Sequence, residues 1–299
     1  MSEFSNIRGR FAPSPTGPLH IGSLIAAVAS YLDARSNQGE WLVRIEDLDL
    51  PRQMPGAADL ILRTLEAYGF EWDGEVIYQS QRDHYYQDAL HMLAARGLVY
   101  PCGCSRKEIA DSAIHGIDGL VYPGTCRSGL AAGKHARAWR IQVDDTPIHF
   151  HDAVQGEISQ VLSRDIGDFV LKRADGLFAY QLAVVVDDEM QGITHIVRGA
   201  DLLDSTPRQI FLQRALGYAH PAYLHVPVAA NMAGEKLSKQ TLAQALDSDN
   251  TSHDLWQALA FLGQEPPVEL QTDHHAAIWQ WALSHWQPAH ILRQRTILI

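Results

Sequence analysis

Arg10-Phe-Ala-Pro-Ser-Pro-Thr-Gly-Pro-Leu-His-Ile-Gly-Ser23 is the stretch on which the reading of this chain turns. From Ile7 to Ala12 the residues suit the end of a strand. Pro13, Pro15, Gly17 and Pro18 then exclude a regular element, and Leu19 opens an apolar, alanine-rich helical run. Such a junction presents unpaired N–H groups and the positive end of a helix dipole, so a phosphate is the expected ligand. His20 stands where it can hydrogen-bond that phosphate, and Gly22 lets a flat ring approach the backbone. Taken alone, the stretch also reads as a stiff connection with an incidental histidine, and the rest of the chain has to decide.

The 299 residues, 46% hydrophobic and 20% charged, are enough for one large domain or two to three smaller ones with a buried core. Met-Ser-Glu-Phe-Ser-Asn at the start lacks a basic, apolar leader pattern, and no apolar run approaches the roughly 20 residues of a membrane helix. No membrane association and a cytoplasmic location are therefore expected. Three cysteines, all between Cys102 and Cys126, argue against a disulfide framework. A net charge of −11 opposes indiscriminate binding to nucleic acid, so an RNA partner would need a local basic surface.

After the opening loop, Leu24, Ile25, Val28, Tyr31 and Leu32 recur at helical spacing, with Gly39 as the expected cap. Trp41–Ile45 reads as a buried strand running into Glu46-Asp47-Leu48-Asp49, so acidic groups gather at a strand exit. That segment is either a solvated acidic turn or an Asp-x-Asp site for Mg²⁺ on a substrate phosphate. Helices are expected at 57–68 and 82–96, ended by Gly69 and Gly97. Their alternation with short apolar strands predicts an α/β fold with a doubly wound parallel sheet.

Cys102-x-Cys104 and Cys126 suggest a tetrahedral, structural zinc site short of one ligand. His115 and His135 are the usual chemistry for that place; spacing alone does not nominate Tyr122. Ala179–Val186 reads as a strand ending in Asp187-Asp188-Glu189, and Ile193–Val197 as another ending in Arg198-Gly199-Ala200-Asp201. An arginine at such an exit can bind a carboxylate through two parallel hydrogen bonds. Asp204 or Ser205 is expected to cap the next helix, with Pro207 in its first turn and Gly217 after its last. One more strand, Pro221–Ala230, leads to a glycine-led loop carrying Lys236, Ser238 and Lys239, suited to a polyphosphate. Trp279, Trp281, Trp286, Arg293 and Arg295 read either as core and solvated surface or as an RNA platform, with core preferred for the tryptophans.

Arg10–Ser23 and Lys236–Gln240 together resemble the two signatures of class I aminoacyl-tRNA synthetases, His-Ile-Gly-His and Lys-Met-Ser-Lys-Ser. Phe11–Gly17, Val43–Asp47 and Arg198–Asp201 narrow the resemblance to the glutamyl branch, over about the first 245 residues. Ser23 replaces the second histidine, and Leu237 and Gln240 replace methionine and serine, while both lysines and Ser238 remain. Only about 60 residues follow this loop, where a glutamate–tRNA ligase carries a large helical anticodon-binding region. With the cysteines and Tyr122 lying between the sheet halves, this layout resembles the truncated paralogues of glutamyl-tRNA synthetase that act on queuosine in tRNA(Asp).

The resemblance implies a Rossmann-like parallel sheet in two halves, 1–99 and 179–245, split by an inserted zinc-containing acceptor-binding-type subdomain, 100–178, with a short helical C-terminal region, 246–299. It implies a ligase that activates L-glutamate with ATP and Mg²⁺, without needing tRNA for that step. Glutamate is then transferred to queuosine in the anticodon of tRNA(Asp). Carried over residue by residue, Arg10, Ala12, Ser14, Glu46, Tyr180 and Arg198 bind glutamate, and His20, Gly22, Ser238 and Lys239 bind ATP. His20, Lys236 and Lys239 act on the phosphates, and Tyr122 joins Cys102, Cys104 and Cys126 on zinc. A monomer is the expected state. The alternatives are a discriminating glutamate–tRNA ligase charging the tRNA 3′ end, a nucleotidyltransferase of the same superfamily, and a catalytically silent tRNA-binding paralogue.

Overall fold

A computed structural model describes residues 7–117, 119–237 and 244–299. Strand β1 (Arg8–Phe11) leads through the proline loop to helix α1 (Ile21–Ser36), then β2 (Glu40–Ile45), α2 (Ala57–Ala67), β3 (Ile77–Tyr78) and α3 (Asp83–Ala95). The order β1-β2-β3 is parallel throughout. Helix α1 is buried on nearly all sides, and its alanines let it pack closely on the sheet. The expected glycine stop is displaced by one residue. Gln38, not Gly39, takes the left-handed conformation (φ 57), and the N–H groups of Gln38 and Gly39 close the helix on Arg35 and Ala34. Gly39 is required for a different reason: a Cβ there would lie 2.3 Å from the Ile7 carbonyl oxygen.

The middle of the chain forms β4 (Val99–Cys102), α4 (Arg106–Ser112), the hairpin β5 (Ile114–Gly116) and β6 (Gly119–Val121), then β7 (Ala138–Ile141), β8 (Ile148–Asp152), β9 (Gly156–Gln160), a single turn α5 (Leu162–Asp165) and β10 (Phe169–Lys172). Strands β4, β7 and β10 make an antiparallel sheet of their own. The β8–β9 hairpin instead joins the edge of the parallel sheet, where Asp152 is in register with Tyr223. With the β5–β6 hairpin as a two-stranded sheet of its own, the 100–178 segment thus contributes to three sheets.

Residues 179–186 are not a strand. They open helix α6 (Tyr180–Met190), in which Leu182 through Asp188 are all buried. A helix that is covered on every side shows no polar face, so its valines read as a continuous apolar strand. Next come β11 (His195–Gly199), α7 (Thr206–Leu216), β12 (Ala222–Val226), β13 (Val228–Ala230), α8 (Thr251–Phe261), α9 (His275–His285) and β14 (Thr296–Leu298). Ser205 precedes α7, Pro207 lies in its first turn, and Gly217 closes it with φ 78. The Ser205 side chain does not cap; its oxygen accepts from Gln181 and Arg208.

Strands β11 and β12 are parallel. The Thr194 N–H donates to the Arg8 carbonyl (3.0 Å) and the Arg8 N–H to Thr194 Oγ1 (2.9 Å), which lays the start of β11 beside β1. The two half-sheets therefore meet along β1 and β11, and from that seam the connections run in opposite directions. Ligands of open α/β sheets bind at such a switch point, beyond the strands' carboxyl ends.

One core cluster carries a nest of aromatic rings. Tyr31 packs on Trp41, Phe70 and Trp279 with centroids 4.8–5.3 Å apart. Trp279 of α9 is buried and its indole N–H donates to the Tyr68 carbonyl, while Trp281 and Trp286 pack half-buried on the same cluster. The tryptophans are core. Arg295 pairs with Asp204, and Arg293 donates to the Gln155 carbonyl; β14 pairs with β13 in parallel.

Candidate active site

Two adjoining cavities of about 470 and 460 Å³ open at the seam. The first is lined by the proline loop, His20, Gly22, Ser23 and Lys236; the second by Arg10, Ala12, Tyr180 and Arg198; Ser14, Glu46, Asp201 and Lys236 border both. Every expected substrate residue that the structure describes lies in one or both. Ser238 and Lys239 lie outside the described residues.

The proline loop is tied down by backbone bonds from Glu46 and Met54 to the Pro13 and Pro15 carbonyls. Gly17 adopts φ 142, which a side chain would strain. His20 caps α1: its Nδ1 accepts the Ser23 N–H (3.3 Å), while the Ser23 hydroxyl receives the His20 N–H (3.4 Å). Ser23, the departure from the His-Ile-Gly-His pattern, thus completes a capping box. Because a backbone N–H can only donate, Nδ1 is bare, and the ring's proton sits on Nε2 as a donor. The loop from Asn231 is turned back by Asn231 Oδ1, which accepts the N–H groups of Ala233 and Glu235, and by Gly234 at φ 78. It brings Lys236 Nζ 2.5 Å from Asp201.

The floor of the second cavity is a buried charge network. Arg10 makes paired contacts with Asp188 (3.0 and 3.3 Å). Arg44, fully buried, contacts Asp188 (2.8 Å), Gln191 (2.7 Å) and Glu46 (3.1 Å), and Arg82 contacts Asp187 (2.6 Å). Burial alone would raise the Asp188 carboxyl, but Arg10 and Arg44 outweigh it and hold it below the usual carboxylate range. At Glu46 burial wins over Arg44 and Arg10, and its carboxyl is pushed up; an ammonium brought beside it would favour the ionised form.

Arg198 differs. It is buried, and its partners are His225, Thr206, Gln209, the Leu202 carbonyl and Tyr180. Among the described residues no carboxylate lies within ion-pair distance of it, so a ligand carboxylate can take its full charge.

Asp47 and Asp49 are each engaged with a neighbouring side chain. Both Asp47 oxygens accept from Ser80, and Asp49 holds Arg52. In the other direction, Cys102, Cys104 and Cys126 bring their sulfurs within 4.8 Å of one another. Tyr122 Oη lies 3.4 Å from Cys102 Sγ and 3.5 Å from Cys104 Sγ. Zinc–sulfur bonds of about 2.3 Å in a tetrahedron imply ligand separations of roughly 3.5–3.8 Å, so three thiols and this hydroxyl fit a zinc ion. His115 and His135 are exposed and take no part in the cluster.

The model for tRNA synthetases class I (E and Q), catalytic domain, matches residues 6–263. The glutamyl-Q tRNA(Asp) synthetase of Dechloromonas aromatica is 64% identical over 297 residues, 99% of each chain. The chain belongs to the glutamyl-Q tRNA(Asp) synthetase family. The family's Chromobacterium violaceum member is 59% identical over 95% of each chain. At the level of fold, a glutamate-tRNA synthetase from Elizabethkingia anophelis superposes with a TM-score of 0.81 at 22% identity, over 99% of this chain and 68% of that one.

Some residues of this glutamyl-Q tRNA(Asp) synthetase family member were not legible as site residues. Asp188 was read at a strand exit but lies within α6, under Arg10. Asp152, His225, Thr206 and Gln209 carried no local signal; only their convergence around Arg198 reveals them.

Proposed function

We propose that this chain activates L-glutamate with ATP and transfers it to queuosine in the anticodon of tRNA(Asp). The observation that carries the reading is Arg198, a buried guanidinium with no carboxylate partner among the described residues, in a cavity that opens onto the chamber of His20 and Lys236. Glutamate brings two carboxylates to a polyanionic nucleotide, and that repulsion has to be offset before the α-carboxylate can attack the α-phosphorus. Arg10 and Arg198 take the carboxylates, Ser14 and Tyr180 orient the amino acid beside Ala12, and Glu46 receives the ammonium.

ATP lies over Gly22, with its phosphates toward His20 Nε2–H, Lys236, Ser238 and Lys239. Charge moving onto the departing pyrophosphate is met by the histidine and the lysines, and Mg²⁺ arrives with the nucleotide. Release of pyrophosphate leaves glutamyl-adenylate, and a queuosine hydroxyl then displaces AMP to form an ester. In this reading activation needs no tRNA, so ATP–pyrophosphate exchange is expected in its absence. Cys102, Cys104, Cys126 and Tyr122 would hold a zinc ion, and with four protein ligands its role would be structural. The names of the relatives, all glutamyl-Q tRNA(Asp) synthetases, support the acceptor over the tRNA 3′ end.

The test is transfer of labelled glutamate to bulk tRNA with and without queuosine, followed by nuclease mapping. Label in the anticodon fragment of queuosine-containing tRNA alone is expected. Label at the 3′ end of unmodified tRNA(Glu) would establish the ordinary ligase instead.

A further inference from the structure

Arg198 is oriented on three sides. Its Nε–H donates to His225 Nε2 (2.9 Å), Nη2 donates to Thr206 Oγ1 (2.8 Å) and Gln209 Oε1 (2.9 Å), and Nη1 reaches Tyr180 Oη (3.4 Å). For His225 to accept at Nε2, its proton must be on Nδ1. That N–H donates to Asp152 Oδ2 at 2.6 Å. Asp152 is fixed in turn, because its Oδ1 accepts the N–H groups of Val154 (3.1 Å), Gln155 (2.8 Å) and His225 (3.2 Å). Asp152 and His225 are both fully buried, and neither lines a cavity of the site.

A buried carboxylate and imidazole are costly to desolvate, and an apolar pair would pack as well, so packing does not account for them. The contrast with Arg10 does. A carboxylate directly on Arg198, like Asp188 on Arg10, would orient the guanidinium but compete with the ligand for its charge. With an imidazole interposed, the carboxylate fixes a tautomer, and the bare nitrogen orients the arginine without occupying it.

We infer that Asp152 and His225 form a positioning pair for Arg198, holding its guanidinium oriented by neutral acceptors so that its charge is available to a carboxylate of the amino acid. The inference rests on the glutamate site proposed above. It reaches from the β8–β9 hairpin to the amino-acid pocket through one histidine.

The experiment uses the full-length chain and ATP–pyrophosphate exchange, with glutamate and ATP varied separately. His225→Asn keeps a donor for Asp152 but removes the acceptor for Arg198. It is expected to raise the glutamate KM on the order of 10- to 100-fold, the worth of a hydrogen bond to a charged group, and to leave the ATP KM within about twofold. His225→Gln, which can place an amide oxygen near the lost Nε2, is expected to restore most of the affinity. Asp152→Asn, which lets the imidazole flip its tautomer, should act in the same direction as His225→Asn. In an Arg198→Ala background, His225→Asn should add nothing further.

Equal rises in both KM values, or an undiminished effect of His225→Asn without Arg198, would overturn the inference. So would a lowered melting temperature with an unchanged glutamate KM. If Arg198→Ala itself leaves the glutamate KM unchanged, the glutamate site falls, and the positioning role falls with it.

Discussion

Replacing Asp188 by asparagine keeps the shape of the side chain and removes one charge from a network of three arginines, Arg10, Arg44 and Arg82, and three carboxylates, Glu46, Asp187 and Asp188. The carboxylate touches Arg10 at 3.0 Å and Arg44 at 2.8 Å, and the three side chains are 0–5% exposed, so solvent can compensate little. Breaking a buried pair from one side costs about 3–5 kcal/mol, because the remaining charge stays buried. Arg44 keeps Glu46 and Gln191; Arg10 loses its paired contact outright. With an unfolding entropy of about 2.1 cal/mol/K per residue, that cost lowers the melting temperature by roughly 5–8 °C. Arg10 is then held less firmly toward the substrate, and the glutamate KM should rise roughly tenfold. Differential scanning calorimetry and pyrophosphate exchange on the same preparation measure both. A melting temperature within about 1 °C of the parent, with an unaltered glutamate KM, would refute the argument.

Acid should destabilise the fold in two stages. Burial lowers His225 to about 4, whereas an unfolded histidine takes its proton near pH 6.5. Between those values the unfolded chain binds the extra proton, so stability is complete above pH 6.5 and declines as the pH falls, by up to about 3 kcal/mol. Asp152 and Asp188, held low, add a second loss only below the unfolded carboxylate value of about 4. Urea unfolding across this range should show a shallower first limb in His225→Gln than in the parent, the remainder coming from His220 and His275, which burial also lowers; identical slopes would contradict it. Metal analysis of the purified chain is expected to find one zinc, absent from Cys104→Ser, whose parallel sheet should stay folded by circular dichroism. Lys239→Ala should slow adenylate formation by roughly 10²–10³, which single-turnover kinetics would read directly.

The first half of the fold is legible because its signals are local. Leu24, Ile25, Val28 and Leu32 mark one buried helix by spacing, and Gly69 and Gly97 stop two others with φ values of 75 and 71. His20, Gly22 and Arg198 stand out because strand exits and helix starts are where parallel sheets hold ligands, whereas Arg10 is nominated only by the family resemblance. What could not be read is set by partners remote in sequence. Tyr180–Met190 lies against other elements on every side, and that environment, not any periodicity, makes it a helix. The roles of Asp188 and His225 depend on Arg10, Asp152 and Arg198, and the Arg10–Asp188 contact closes over 178 residues. Among the candidate zinc ligands, Cys102-x-Cys104 and Cys126 are visible in the spacing, whereas Tyr122 is nominated only by the family resemblance, and its hydroxyl lies 3.4 and 3.5 Å from two of the sulfurs.

The seam between β1 and β11 also fixes an order of events during synthesis. Arg10 and Arg44 emerge early, yet Asp188, which binds both, lies 178 and 144 residues further on. A nascent chain that ends before α6 has β1, β2 and α1 but must bury two guanidiniums with Glu46 as their main compensation, so the native arrangement is disfavoured until the second half arrives. The first half is thus a waiting partner rather than an independently folding unit. Compensation of Arg10 and Arg44 and completion of the parallel sheet become available in the same step.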